Sequence, residues 1–439
     1  MDDRQARVNA WKHRILQRYL DDEQIGFYEP GDKRNVFYVR DQVVVPRSSF
    51  SSIGERLERY AAAGGRPRFG LPGITGQQAF AGLPGRVDVG GAVAVDLDRG
   101  KVADTVAFAA DFGKSGLSLN HLVTGLQRRT GYPDGDPELP ATPLPEMPEE
   151  RSTKGSGVTV AIVDTGFPTP SSISDNLERA WFGYGVDYAT QDGEVDDQGG
   201  PLQHIDLLDG PDRDSYLDAE AGHGLFIGGL VRRIAPGAKL LFLKALNSDG
   251  MGTELGVARA IDYAVQRGAK VINLSLGFYT LQDATPSGVA AAVEAAREEG
   301  CAVIGAAGND GIDDPTYPAA LEGVIGVGAL DKDKTGKASF SNDGSWVNVF
   351  APGDQVQSTY VVGREDRRIT RDRNADEFVD TAVWSGTSFA CGIVSGHIAA
   401  NLSSGAGAGT AAAQAAGIIG RLGEFDSTAR KLIPEYAFE

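Results

Sequence analysis

Cysteine is almost missing: Cys301 and Cys391 are the only two in 439 residues, so no disulfide framework is available, and together with five scattered histidines they form no metal-ligand spacing. Both thiols are expected to be buried and unmodified. Long apolar runs are also missing, and nothing approaches the roughly 20 residues that cross a bilayer, which excludes a membrane-spanning reading. There is no excess of positive charge. Sixty acids against 42 bases give a net charge of -18, which repels a phosphate backbone and excludes nucleic acid as an expected partner. The opening MDDRQARVNAWKHRILQRYL is charged, helical in period and without the apolar stretch of a secretory signal, so a cytoplasmic location is expected.

What the chain does have is glycine, 58 residues or roughly twice the usual share of about 7%, and enough apolar residues (41%) to bury a sizeable core. Frequent tight turns and close backbone approaches follow. Residues 131–156, GYPDGDPELPATPLPEMPEERSTKGS, are rich in Pro and acids without apolar period and read as an extended linker. The chain thus divides into residues 1–130, a linker over 131–156 and residues 157–439.

In the first part an amphipathic helix precedes the β-rich NVFYVRDQVVVP, and Ser49–Ser52 can cap a helix ending at Gly64 and Gly65. The stretch RVDVGGAVAVDL alternates around Gly90 and Gly91, KVADTVAFAADFG is helical by length and alanine content, and LSLNHLVTG is extended. The order β-α-ββ-α-β predicts a small α+β, ferredoxin-like unit. After the linker, apolar strands (VTVAIVDTG, KLLFLKAL, KVINLSLG, CAVIGAAGN, GVIGVGALD) alternate with Ala-rich helices (LGVARAIDYAVQRG, GVAAAVEAAREEG). That pattern predicts an α/β fold with a doubly wound, mostly parallel sheet, covered on both faces, with catalytic residues at the carboxyl ends of its strands.

Three motifs fall at such ends or at helix starts: VAIVDTG with Asp164, GHGLFIGGLV with His223, and SGTSFACGIVSG with Ser388. A serine hydroxyl is a poor nucleophile at neutral pH. It needs a base within reach, and that base needs its tautomer fixed by a carboxylate, roles that His223 and Asp164 can supply. The oxyanion formed on attack requires donors: the backbone N–H of Ser388 at a helix N-terminus and the side-chain amide of Asn309 in AAGNDG.

With Asp, His and Ser in that chain order, residues 157 to about 402 resemble the subtilisin-like serine proteases, the subtilases. The resemblance implies a serine endopeptidase acting on polypeptide substrates. It further implies two backbone walls that hold a peptide by strand addition, matched here by Gly250, Met251 and Gly252 in SDGMGT and by Ser275, Leu276 and Gly277 in INLSLG, with Thr316 at the floor of the S1 pocket. No cofactor is required; calcium, which many subtilases bind, is possible. Phe389, Gly392 and Ile393 depart from the family pattern, which usually has Met after the nucleophile and a Pro-His pair further on.

The topology of residues 1–130 resembles the prosegment that precedes many subtilase catalytic domains. It implies an intramolecular inhibitor or folding template packed on two surface helices, with His121-Leu122-Val123-Thr124 in the non-primed subsites. A permanent domain that recruits a partner is the competing expectation, and a catalytically silent binding module is the alternative for the whole chain. His204 is the rival histidine, set in an acidic loop without the Gly-rich helix that follows His223. Cys391 lies one turn from Ser388 without a base of its own, and Gly405–Gly409 follow a helix and read as a flexible turn. His13, His121 and His397 are expected in surface or core roles. Between Asp187 and Glu220 stand eleven acids and one base, Arg213: a solvated insertion, a calcium site or an attractor of basic substrates. A second insertion, Arg364 to Phe378, is expected as a hairpin or loop over the cleft.

Overall fold

The computed structural model describes residues 25–28, 36–46, 49, 87–89, 92–96, 106, 109, 116–125, 137–145, 147, 153–187, 205–209, 215–364, 376–402, 410–422 and 431–432. Its centre is an eight-stranded sheet in the order Lys431–Leu432, Val347–Pro352, Ile325–Leu330, Ala302–Ala306, Val271–Leu274, Thr159–Asp164, Lys239–Lys244 and Val186–Asp187. Every pairing in it is parallel. The five apolar runs read from the sequence are all in this sheet. Val347–Pro352, interrupted by the exposed Asn348, was not among them.

Continuous apolar runs are required because both faces are covered. Along Thr159–Asp164, Val160 and Ile162 point to one face and Ala161 and Val163 to the other, as the two-residue period of a strand dictates. The first face packs under helices His223–Ile234 and Thr387–Leu402, the second under Glu254–Gln266 and Ser287–Glu298. Small residues let the first pair of helices lie close to the sheet and to each other. A Cβ on Gly228 would stand 2.5 Å from the Phe242 ring, and one on Gly396 would stand 3.0 Å from Ile234. No helix among the described residues is long and apolar enough to cross a membrane.

The N-terminal unit forms a second, antiparallel sheet. Val36–Pro46 lies between Ser118–Gly125 and Ala92–Asp96, and Val87–Val89 pairs antiparallel with Ala92–Asp96. The strands of this sheet include the four read from the sequence of the β-α-ββ-α-β unit. Ile25–Tyr28 adds a strand on Val36–Val39 that the sequence reading did not contain. The expected helices over 1–20, 49–64 and 101–113 lie almost wholly outside the described residues, where Val106 and Ala109 are helical.

Ser118–Gly125 does more than close its own sheet. Leu122, Val123 and Thr124 pair antiparallel with Thr253, Gly252 and Met251, and on the other edge Thr124 and Gly125 pair with Gly277 and Leu276. The two units therefore share one seven-stranded sheet. The contact is also polar. His121 Nδ1 meets Glu254 Oε2 at 2.7 Å, and Ser118 Oγ accepts the Ser287 N–H at 3.1 Å, so the strand touches the N-terminal residues of the two helices on the second face. The described linker residues 137–145 are pinned to the larger unit. Glu138 forms an antiparallel bridge with Val383, and Gln357 Nε2 donates to the Thr142 carbonyl at 2.8 Å.

Candidate active site

Asp164 ends its strand fully buried, and the turn after it is tied back by the Thr165 N–H, which donates to Asp164 Oδ1 at 2.8 Å. His223 opens its helix. The preceding Gly222 has φ 77, a left-handed conformation that favours glycine, and a Cβ there would also press on Val361 at 3.0 Å. This turn swings the imidazole onto the carboxylate, with Nδ1 2.8 Å from Oδ1 and 3.0 Å from Oδ2. Nδ1–H therefore donates to Asp164, and Nε2 is the nitrogen left for chemistry.

Ser388 stands at the second residue of Thr387–Leu402, fully buried, with Oγ donating to the Ser275 carbonyl at 3.2 Å. Among the described residues no hydrogen bond joins Ser388 Oγ to His223 Nε2. Asn309 follows the carboxyl end of Ala302–Ala306. Its Oδ1 accepts from the Thr387 N–H at 2.9 Å and the Thr387 hydroxyl at 2.8 Å, so its amide nitrogen is the end presented as donor. That nitrogen lies 3.4 Å from where a Cβ on Gly386 would stand, beside the chain leading to Ser388.

The structure thus brings Asp164, His223, Asn309 and Ser388 to the carboxyl edge of the sheet and its adjoining helix starts. Met251–Thr253 and Leu276–Gly277 flank the strand Ser118–Gly125, and the Ser275 side chain reaches the Ser388 carbonyl at 2.9 Å. Thr316 is buried nearby: its Oγ1 accepts from Asn342 Nδ2 at 3.0 Å and lies 3.0 Å from a Cβ placed on Gly308. The strand between the walls is Leu122–Gly125, one residue later than the expected His121–Thr124. His121 is drawn off by Glu254 and stacks on Phe278, ring centroids 5.3 Å apart.

Burial works against a charge on His223, but the carboxylates of Asp164, Glu220 and Asp206 outweigh it and push its pKa up to about 9. Glu220 is itself buried, with Oε2 3.6 Å from Nε2. Asp206 accepts from the Thr165 hydroxyl at 2.7 Å and the Gly222 N–H at 2.8 Å, tying together the residue after Asp164 and the residue before His223. Burial raises its pKa. The sequence reading missed these two as site residues because they were counted among the eleven acids of an insertion. It also missed the aromatic wall behind the imidazole, Trp384 and Phe389 at 5.4 Å each. Phe389, which departs from the family pattern, fills that wall against Phe226.

The rivals separate cleanly where they are described. Burial pushes the Cys391 thiol up to about 12, and its Sγ accepts from Asn273 Nδ2 at 3.1 Å, the environment of an inert thiol. His13, His204 and the Gly405–Gly409 run lie outside the described residues. Of the eleven acids, the five described have protein partners. Asp187 pairs with Lys239 and Arg267, Asp209 takes the Ser215 N–H, and Asp218 takes the Ser248 hydroxyl, beside Asp206 and Glu220. Among the described residues no group of three or more His, Cys, Asp or Glu is placed to hold a metal ion. The second insertion begins and ends as a hairpin, Gly363–Arg364 against Glu377–Phe378.

The Subtilase family model matches residues 155–420, and the chain belongs to this family. It is 36% identical over 215 residues to the "Thermophilic serine proteinase" of Bacillus sp. (strain AK1), covering 48% of each chain. Similarity to "Thermitase" of Thermoactinomyces vulgaris is 35% over 217 residues, 47% of this chain and 67% of that one. "Subtilisin DY" of Bacillus licheniformis is 34% identical over 223 residues, 47% of this chain and 68% of that one. The matched segment spans about half the length of the first relative and about two thirds of the others.

Proposed function

We propose that this chain is a serine endopeptidase whose nucleophile is Ser388, whose base is His223, whose orienting carboxylate is Asp164 and whose oxyanion donors are the Ser388 N–H and Asn309. The observation that carries the reading is the buried Asp164–His223 pair, 2.8 Å apart, in a member of the subtilase family. Asp164 holds the proton on Nδ1, so Nε2 takes the Ser388 proton as Oγ attacks the substrate carbonyl. The negative charge that develops on the carbonyl oxygen meets donors already oriented, one of them fixed by the double grip of Thr387 on Asn309. His223 then returns the proton to the leaving amine, and water repeats the sequence to release the acyl group from Ser388.

The substrate chain is taken up as an added strand between Met251–Thr253 and Leu276–Gly277. The proposal extends to residues 1–130 as an intramolecular occupant of this cleft. Support comes from the pairing of Leu122–Gly125 with both walls and from the burial of Leu122 with Phe37, Ala219 and Met251. The test is covalent labelling by a fluorophosphonate. The full chain should be labelled on Ser388, and Ser388→Ala should abolish both labelling and cleavage of a peptide library. Peptidase activity retained in Ser388→Ala would overturn the assignment.

A further inference from the structure

Catalysis needs Nε2 of His223 aimed at Ser388 Oγ, yet the groups are arranged differently here. The hydroxyl of Ser388 is given to the Ser275 carbonyl at 3.2 Å, while Nε2 faces the Glu220 carboxylate at 3.6 Å. Glu220 is held there by its backbone. Its N–H donates to the Ser248 carbonyl at 2.8 Å, its carbonyl accepts the His223 N–H at 3.0 Å, and its side chain runs beneath Gly250, where a Cβ would meet Cγ at 2.4 Å. The glutamate is thereby fixed between the catalytic histidine and the wall at Gly250–Gly252.

We propose that Glu220 is a positioning residue that competes with Ser388 for the Nε2 edge of His223, pairing with the imidazolium in a resting arrangement and releasing the ring when it is neutral. The inference rests on the serine endopeptidase reading above. Its physical basis is a change of sign. Protonated, Nε2–H is a donor facing a buried carboxylate, a favourable pair of opposite charges. When that proton passes to water, Nε2 carries a lone pair, which the carboxylate repels and the Ser388 hydroxyl attracts.

Other groups act on the same ring. Asp164 at the end of its strand holds Nδ1, and Asp206 acts from the strand Ile205–Asp206, itself facing the partly buried Lys244. From the nucleophile's helix come Ser388, Phe389 and the thiol of Cys391, all uncharged, and Trp384 adds a neutral ring. Of the three carboxylates, Glu220 is the one that faces Nε2. Asp164 orients the ring through Nδ1, and Asp206 acts on it as a buried charge.

The test is an NMR titration of the imidazole in the full chain, which has five histidines, with His223→Gln identifying the resonance. In Glu220→Gln the pKa of His223 should fall by about one unit or more. The acid limb of kcat/KM should move down with it, while Glu220→Asp keeps the charge and should restore part of the difference. If Glu220→Gln does not fold, Glu220→Asp carries the test, because withdrawing the carboxylate by one methylene must still lower the value measurably. An unmoved His223 titration and acid limb in the folded variants overturns the role of Glu220, whatever the loss of stability. A shifted titration in a chain without peptidase activity would instead overturn the endopeptidase reading and leave the Glu220 pairing standing.

Discussion

Replacing Asp164 by Asn tests the centre of this mechanism with almost no change of shape. Asp164 Oδ1 accepts the Thr165 N–H and lies 2.8 Å from His223 Nδ1, so in the Asp164→Asn variant the amide oxygen keeps that place while the amide nitrogen takes the position of Oδ2, 3.0 Å from the same Nδ1. Two N–H groups cannot face each other there. The variant therefore favours the tautomer with its proton on Nε2, where the ring can no longer accept from Ser388, over the one that Asp164 holds. The expected loss in kcat is about 10⁴-fold, or roughly 5 kcal/mol at about 1.36 kcal/mol per factor of ten. Charge changes as well. Asp164 is the first of the carboxylates holding the His223 pKa at about 9, so the titration should move toward the ordinary 6.5.

Stability follows with a defined sign. A raised value favours the fold while His223 is protonated in it: the contribution is complete below about 6.5 and is lost as pH rises through about 9. The interval amounts to roughly 3 kcal/mol at about 1.36 kcal/mol per pH unit. Unfolding by denaturant at pH 6 and at pH 9.5 should show this difference in the parent chain and a reduced one in Asp164→Asn. A variant that keeps kcat within tenfold of the parent, with an unchanged histidine titration, would refute the reasoning.

Asn309→Ala should lower kcat by about 10²- to 10³-fold and leave KM nearly unchanged, because the donor meets only the developing oxyanion; steady-state kinetics showing a pure KM effect would count against that role. Leu122→Asp places a carboxylate among Phe37, Ala219 and Met251, a burial that costs several kcal/mol, and should loosen the strand from the cleft. The full-length variant should then cleave small peptide substrates faster than the parent, and an unchanged initial rate would favour a recruiting domain over a cleft occupant.

Much of the fold was legible because it rests on local period. Apolar runs such as VTVAIVDTG and CAVIGAAGN admit only strands covered on both faces, and the glycine pair at 90 and 91 announces its hairpin. Asp164, His223, Ser388 and Asn309 could be proposed for the same reason: each sits where a strand stops or a helix starts, flanked by glycine or small residues. Val347–Pro352 escaped because a polar, exposed Asn348 breaks its run, and Ile25–Tyr28 because four residues carry too little pattern to outweigh the helical period before them.

Other features are properties of segments brought together from far apart. Glu220 and Asp206 look in sequence like two more acids in a charged insertion, and only the fold sets one 3.6 Å from Nε2 and the other across Thr165 and Gly222. The one-residue offset of the strand that pairs with Met251–Thr253 and Leu276–Gly277 was decided the same way. Alternation along LSLNHLVTG fits several registers equally well, and the choice fell to Glu254, 133 residues away, which engages His121 and leaves Leu122–Gly125 to pair with the walls. Period and composition fix what a segment can become, whereas register and the electrostatic surroundings of a side chain depend on which distant segments share its burial.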